Sequence, residues 1–141
     1  MSFPFVQSFD IEGRDFFNAG KVAAEIKTLL RQLGISGEII RRAAIASYEA
    51  EMNVVMYARR ARLTFTMTPE QIAIEIDDEG PGISDIGLAM QEGYSTATDE
   101  MREMGFGAGM GLPNIKKNTD QLDVRSIAGK GTKLEFIIRV S

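Results

Sequence analysis

Three segments of this sequence combine residue types able to do chemistry with spacings that would bring them together. In YEAEMNVVMYA, Glu49 and Asn53 are four residues apart, one turn above the other on a helix. At about 100° per residue, Glu49 lies within about 40° of the centre of the stripe formed by Ile45, Met52 and Met56. A carboxylate on that side is costly unless it is paired or functional. Two readings follow: the pair lines a cavity at the edge of the core, or the polar boundary of the helix begins there. Glu51 points elsewhere and reads as solvated.

The second segment, Asp78-Glu79-Gly80-Pro81-Gly82, ends a run of alternating isoleucines. Gly80 and Gly82 permit a sharp turn and close approach of a ligand to the backbone, and Asp78 at the strand end can accept hydrogen bonds from an exocyclic amine. An ordinary strand-ending turn meets the same pattern. The third segment, GFGAGMGLPNIKK, places Gly107, Gly109 and Gly111 ahead of a helical run whose free N–H groups would suit phosphate oxygens. Context removes two common phosphate signatures. A Rossmann fingerprint needs a strand before it, where EMREM stands here. The GKGT at residues 129–132 is no P-loop, because Gly131 follows Lys130 and no glycine stands at the required upstream spacing.

The elements that must hold these segments are legible from periodicity. An edge strand is expected over Phe3–Ile11. A helix from Asp15, capped by that residue, carries Phe16, Ala19, Val22, Ala23, Ile26, Leu29, Leu30 and Leu33 on one stripe and stops at Gly34. A second helix runs from near Ser36 toward Arg60, with Ile45, Tyr48, Met52, Val55 and Met56 on one face. RLTFTMT and QIAIEID then alternate about a turn at Thr68-Pro69-Glu70 and read as a hairpin. A short helix over Ile83–Gln91, a polar lid-like loop over Glu92–Met104, a helix over Leu112–Thr119 and a closing hairpin, LDVRSIA and KLEFIIRV, complete the chain. The expected fold is α+β, a two-layer sandwich with helices on one face of a mixed, largely antiparallel sheet.

Composition narrows the chemistry. The 141 residues, 44% of them apolar, suit one domain over 1–141, since folding at this size hides roughly 70% of the unfolded surface. A net charge of −4 argues against a direct nucleic-acid surface. No apolar run approaches the roughly 20 residues needed to cross a bilayer, and MSFPFVQSFD lacks the features of a signal peptide, so a cytoplasmic protein without a membrane partner is expected. The absence of Cys and His excludes disulfides, Cys/His zinc sites and Ser-His-Asp triads within the chain. Carboxylates, amides, hydroxyls, Lys, Arg and backbone remain, which favours hard cations such as Mg²⁺ for any bound metal.

Taken in order, ExxxN on a helix, DxGxG after a strand, GxGxG before a helix and GT opening a later strand resemble the four ATP-site motifs of the GHKL superfamily, over nearly the whole chain. The compact length, with EGYSTA in the lid and AGMGLPNIKK after it, is most similar to its anti-sigma and switch-kinase branch. The resemblance implies a Bergerat-type ATP-binding fold with ATP and Mg²⁺ as ligands. It makes Glu49 the general base and Asn53 the Mg²⁺ ligand. Asp78 would accept from the adenine amino group with Thr132 nearby, and Gly80 and Gly82 would shape the adenine side. Gly107, Gly109 and Gly111 would admit the phosphates, and Arg102, eight residues after Tyr94, would contact phosphate or partner.

The same resemblance implies a protein serine/threonine kinase that phosphorylates a serine of an antagonist protein, acts on a sigma factor, or both. Many similar kinases carry a His shortly after the Asn, where Val54-Val55-Met56-Tyr57 stands here, and Gly105 and Phe106 lengthen the glycine loop. Without His, the chain cannot phosphorylate itself on histidine. A nucleotide-gated binding module without turnover is the alternative, and a plain α+β domain whose glycines serve only turns is a third reading. Whether two copies pair as a homodimer is left open.

Overall fold

The computed structural model describes residues 2–83, 86–91 and 111–140. Its strands are β1 (Phe5–Glu12), β2 (Arg60–Met67), β3 (Gln71–Glu79), β4 (Gln121–Ile127) and β5 (Gly131–Arg139). Its helices are α1 (Lys21–Gln32), α2 (Gly37–Tyr57), the single turn α3 (Ile86–Ala89) and α4 (Gly111–Lys117). The sheet order is β1-β2-β3-β5-β4 and each of these pairings is antiparallel, so the sheet expected to be mixed is antiparallel throughout the described residues. The expected edge strand, β1, does form one edge.

Alternation divides the sheet cleanly into two faces. Leu63, Phe65, Ile72, Ile74, Phe136 and Ile138 are fully buried, and they form one core with Ile26 and Leu30 of α1, Val54 of α2 and Ile115 of α4. The intervening residues make an open, charged face crossed by the pairs Asp10–Arg62 at 3.5 Å, Arg60–Glu79 at 3.1 Å and Glu75–Lys133 at 2.7 Å. Each is solvent-exposed and contributes little to stability. The architecture is therefore the α+β two-layer sandwich that the periodicity predicts.

The first helix departs from expectation. Asp15 caps a single 3-10 turn, Phe16–Asn18, by accepting the Asn18 N–H, and not the start of α1. Gly20, with φ of 93°, then turns the chain, and α1 begins only at Lys21. The helix has no cap of its own at Gly20. Its cap comes from α2: Glu51 accepts N–H bonds from Gly20 at 3.0 Å, Val22 at 3.2 Å and Ala23 at 2.9 Å. These are among the donors that every helix N-terminus leaves unpaired, and the end of the helix dipole favours a negative group there.

Glu51 is thus 2% exposed, not solvated as the sequence suggests. The reason lies in the burial of α2, whose flanks both pack on helices, α1 and α4. Glu49 and Glu51 stand about 200° apart on this helix, so taking one from water does not spare the other. The same packing misplaces Tyr48, which is 43% exposed, and gathers Met52 and Met56 into a small cluster with Phe16, Ala19 and Tyr57.

Replacing Glu51 by Ala leaves three helix-end N–H groups without their acceptor. The expected loss is about 3 kcal/mol, with Glu51→Gln losing clearly less because one amide oxygen still accepts. Urea unfolding followed by circular dichroism measures both; equal midpoints for wild type and Glu51→Ala would contradict the capping role.

Candidate nucleotide site

The flank of α2 opposite Glu51 meets α4. Glu49 is half-buried, and its Oε1 accepts from the Asn114 side-chain amide at 3.3 Å. One turn further along α2, Asn53 faces Gly111, the first residue of α4. A Cβ added at Gly111 would stand 3.0 Å from Asn53 Oδ1, tighter than ordinary van der Waals contact, so glycine lets the helix start this close to the amide. Lower down, Arg42 Nε donates to the Asn118 carbonyl at 3.1 Å and its Nη2 to Asp120 at 3.2 Å. The two helices are therefore antiparallel, joined at three levels.

Burial pushes the Glu49 carboxyl above the usual carboxylate range, and the Asn114 hydrogen bond pulls it partly back. A carboxylate held in this way is a better proton acceptor than a solvated one.

A second group of residues sits where β3 ends. Asp78 Oδ1 accepts the Thr132 backbone N–H at 2.9 Å, and burial, more than the neighbouring Asp77 charge, raises its carboxyl. Gly131 permits that bond, since a Cβ there would overlap the Asp78 carbonyl. The Gly80 N–H donates to the Lys130 carbonyl at 3.0 Å, and Gly82, at φ of 77°, lies against the Ile127 carbonyl. Ser126 closes the corner: its Oγ accepts the Ile83 N–H at 2.6 Å and lies 3.0 Å from Thr132 Oγ1.

The two groups share one helix. A Cβ on Gly80 would stand 3.1 Å from the Ala58 Cα, the C-cap of α2, five residues or about 7.5 Å of helix rise beyond Asn53. Glu49, Asn53 and Gly111 are thus brought together, as are Asp78, Gly80, Gly82 and Thr132, with the C-terminal half of α2 joining the sets. Arg102, Gly107, Gly109 and the expected lid, 92–104, lie outside the described residues. Among the described residues, no group of three or more His, Cys, Asp or Glu is gathered to hold a metal.

Reading by motif misses Asn114 and Ser126. Both carry a signal. Asn114 is a poor helix former in the middle of α4. Ser126 is the polar member of the inward series Leu122, Val124, Ser126 on β4.

The described residues thus pair a half-buried Glu and Asn on one helix flank with an Asp–Thr corner on an antiparallel sheet. The profile of the family described as "Histidine kinase-like ATPase domain" matches residues 17–138. The chain belongs to this family. It is 29% identical over 115 residues to the serine/threonine-protein kinase RsbT of Bacillus subtilis, covering 79% of this chain and 80% of that protein. It is 33% identical over 109 residues to an anti-sigma F factor of Thermoanaerobacter sp., covering 77% of this chain and 64% of that protein. A crystal structure of the RsbU and RsbW domains of a Mycobacterium tuberculosis protein superposes with a TM-score of 0.61 at 14% identity, covering 95% of this chain and 32% of that one. That last likeness concerns the fold. No described helix is long and apolar enough to cross a membrane.

The raised carboxyl of Glu49 has a consequence for stability. A carboxyl whose folded value is raised stabilises the fold at low pH and loses that contribution as pH rises through the folded value. Glu49→Gln cannot ionise, so its stability relative to wild type should improve as pH rises above the ordinary carboxylate range and then level off. Thermal melts from pH 4 to pH 8 test the sign; a Gln variant that falls behind wild type with rising pH would show that the carboxylate is stabilised by burial partners instead.

Proposed function

We propose that this chain is a protein serine/threonine kinase of the partner-switching type, acting as one ATPase domain that transfers the ATP γ-phosphoryl group to a serine of an antagonist protein. The observation that carries this reading is the pairing of Glu49 and Asn53 on one flank of α2 with the first turns of α4, at Asn114 and Gly111. A solvated helix boundary would not produce it. The kinase name of RsbT and the anti-sigma name of the Thermoanaerobacter protein support the same reading, and suggest a protein partner, an antagonist or a sigma factor.

In this reading Asp78 accepts from the adenine amino group, its other bond to Thr132 fixing the carboxylate's orientation. Gly80 and Gly82 shape that side of the pocket by letting the chain pack closely on Ala58 and on the Ile127 carbonyl. Asn53 offers an amide oxygen to Mg²⁺, and the donor set fits, because Mg²⁺ keeps several waters and needs few protein ligands beside substrate phosphates. Bound there, Mg²⁺ would neutralise charge on the phosphate oxygens. The close contact of Gly111 with Asn53 leaves the α4 backbone near those phosphates, with Gly107, Gly109 and Arg102 assigned to them by resemblance. Glu49 takes the proton of the acceptor hydroxyl as that oxygen bonds to the γ-phosphorus, and the bond to the bridging oxygen of ADP breaks. A cytoplasmic location follows from this role.

Incubation with labelled ATP, Mg²⁺ and a panel of small antagonist proteins should place label on a serine of one of them. Glu49→Ala should lower transfer by roughly 10²–10⁴-fold with nucleotide still bound, whereas Asp78→Asn should abolish nucleotide binding in calorimetry. Partner control that survives Glu49→Ala but not Asp78→Asn would instead make the chain a nucleotide-gated binding module.

A further inference from the structure

Glu49 is a flexible side chain asked to hold one orientation, and the contact that orients it comes from a different helix. Asn114 Nδ2 donates to Glu49 Oε1 at 3.3 Å, across 65 residues of sequence, and both side chains are partly buried. Asparagine in the middle of a short helix carries an intrinsic cost, since its side chain competes for backbone groups. Among the described residues, the Asn114 side chain bonds Glu49 and no local backbone group. The Asn118 amide donates to the Asn114 carbonyl at 2.8 Å and Thr119 Oγ1 to the Ile115 carbonyl at 2.9 Å, so the far end of α4 is secured by other residues.

The rest of α4 fixes where Asn114 stands. The contacts Arg42–Asn118, Glu49–Asn114 and Asn53–Gly111 fall at steps of seven and four residues along α2, and of four and three along α4. Arg42 also bonds Asp120, whose Oδ2 accepts the Arg139 N–H at 2.8 Å, tying this end to the sheet. The far end is anchored by a charge-assisted bond. The near end carries the amide that meets Glu49.

We propose that Asn114 is a positioning residue for the phosphoryl-transfer base: it holds Glu49 by Oε1 so that Oε2 is presented to the acceptor hydroxyl, and it ties the base to the seating of the helix that begins at Gly111. The proposal rests on the kinase reading. The proton leaves the serine hydroxyl for Oε2 while Oε1 keeps its bond to the Asn114 amide, so the developing carboxylic acid stays in place as the serine O–P bond forms and the bond from the γ-phosphorus to the bridging oxygen of the departing ADP breaks.

The test uses the full chain with Mg·[γ-³²P]ATP and the acceptor protein identified in the panel assay. Asn114→Ala should lower kcat by roughly tenfold to a hundredfold, the range expected when a reacting group is misplaced by about an ångström, with KM for ATP changed less than twofold. Its melting temperature should change little, because alanine is the better helix former and offsets the lost bond to Glu49. Asn114→Asp, which keeps the shape but replaces the donor with a second carboxylate, should be as slow or slower, and it carries the test if the alanine variant fails to fold. Wild-type kcat in both variants, or a loss only in proportion to the unfolded fraction, overturns the role of Asn114. A wild-type chain that labels no acceptor overturns the kinase reading itself, which separates the two failures.

Discussion

The helix Gly37–Tyr57 lies between α1 and α4, with the sheet beneath, and two of its carboxylates, Glu49 and Glu51, are withdrawn from water on opposite flanks. Removing charge from water is costly unless partners replace the water, so each of these flanks has to be completed by another element. On one flank the N-terminus of α1 brings three N–H groups to Glu51. On the other, α4 brings Asn114 to Glu49 and the bare backbone of Gly111 to Asn53. On the first flank the three N–H bonds to Glu51 serve the fold. On the second, Glu49 has a single amide partner among the described residues, and burial raises its carboxyl.

The difference between those two carboxylates shows why identity alone does not assign a role. Burial raises both, and both accept hydrogen bonds. Glu51 is held by three backbone donors of one helix end and is buried, which leaves no face open to a ligand. Glu49 has one amide partner among the described residues and remains half-exposed. What separates a structural acid from a candidate base here is the number of donors that its neighbours supply.

The corner at Asp78 depends on the same principle applied to backbone. Thr132 begins the inward face of β5, and its N–H reaches the Asp78 carboxylate because Gly131 has no side chain to hold the strands apart. Ser126 and the Ile83 N–H extend the network to the turn after Gly82. The helix C-cap at Ala58 packs on Gly80, so the corner and the helix flank have fixed relative positions. A rigid sheet end and a rigid helix pair are the kind of support that a preorganised site requires.

Much of this was legible before any coordinate. The alternation in RLTFTMT, QIAIEID and KLEFIIRV determined the strands and their inward residues, because a strand's period of two leaves no other way to bury the isoleucines. The spacing of Glu49 and Asn53, and of Asp78 from its glycines, likewise marked the candidate site, since a helix row and a strand end are local geometry. Tertiary structure alone showed that Glu51 is a buried helix cap. Glu51 read as solvated because periodicity describes one helix at a time, and the donors that bury it lie about 30 residues earlier in the chain. Asn114 could be noticed as an odd residue in a helix, but its meaning needed α4 laid antiparallel along α2. Local pattern sets the elements and the chemistry they carry; long-range packing sets which polar groups find partners and which stay available to act.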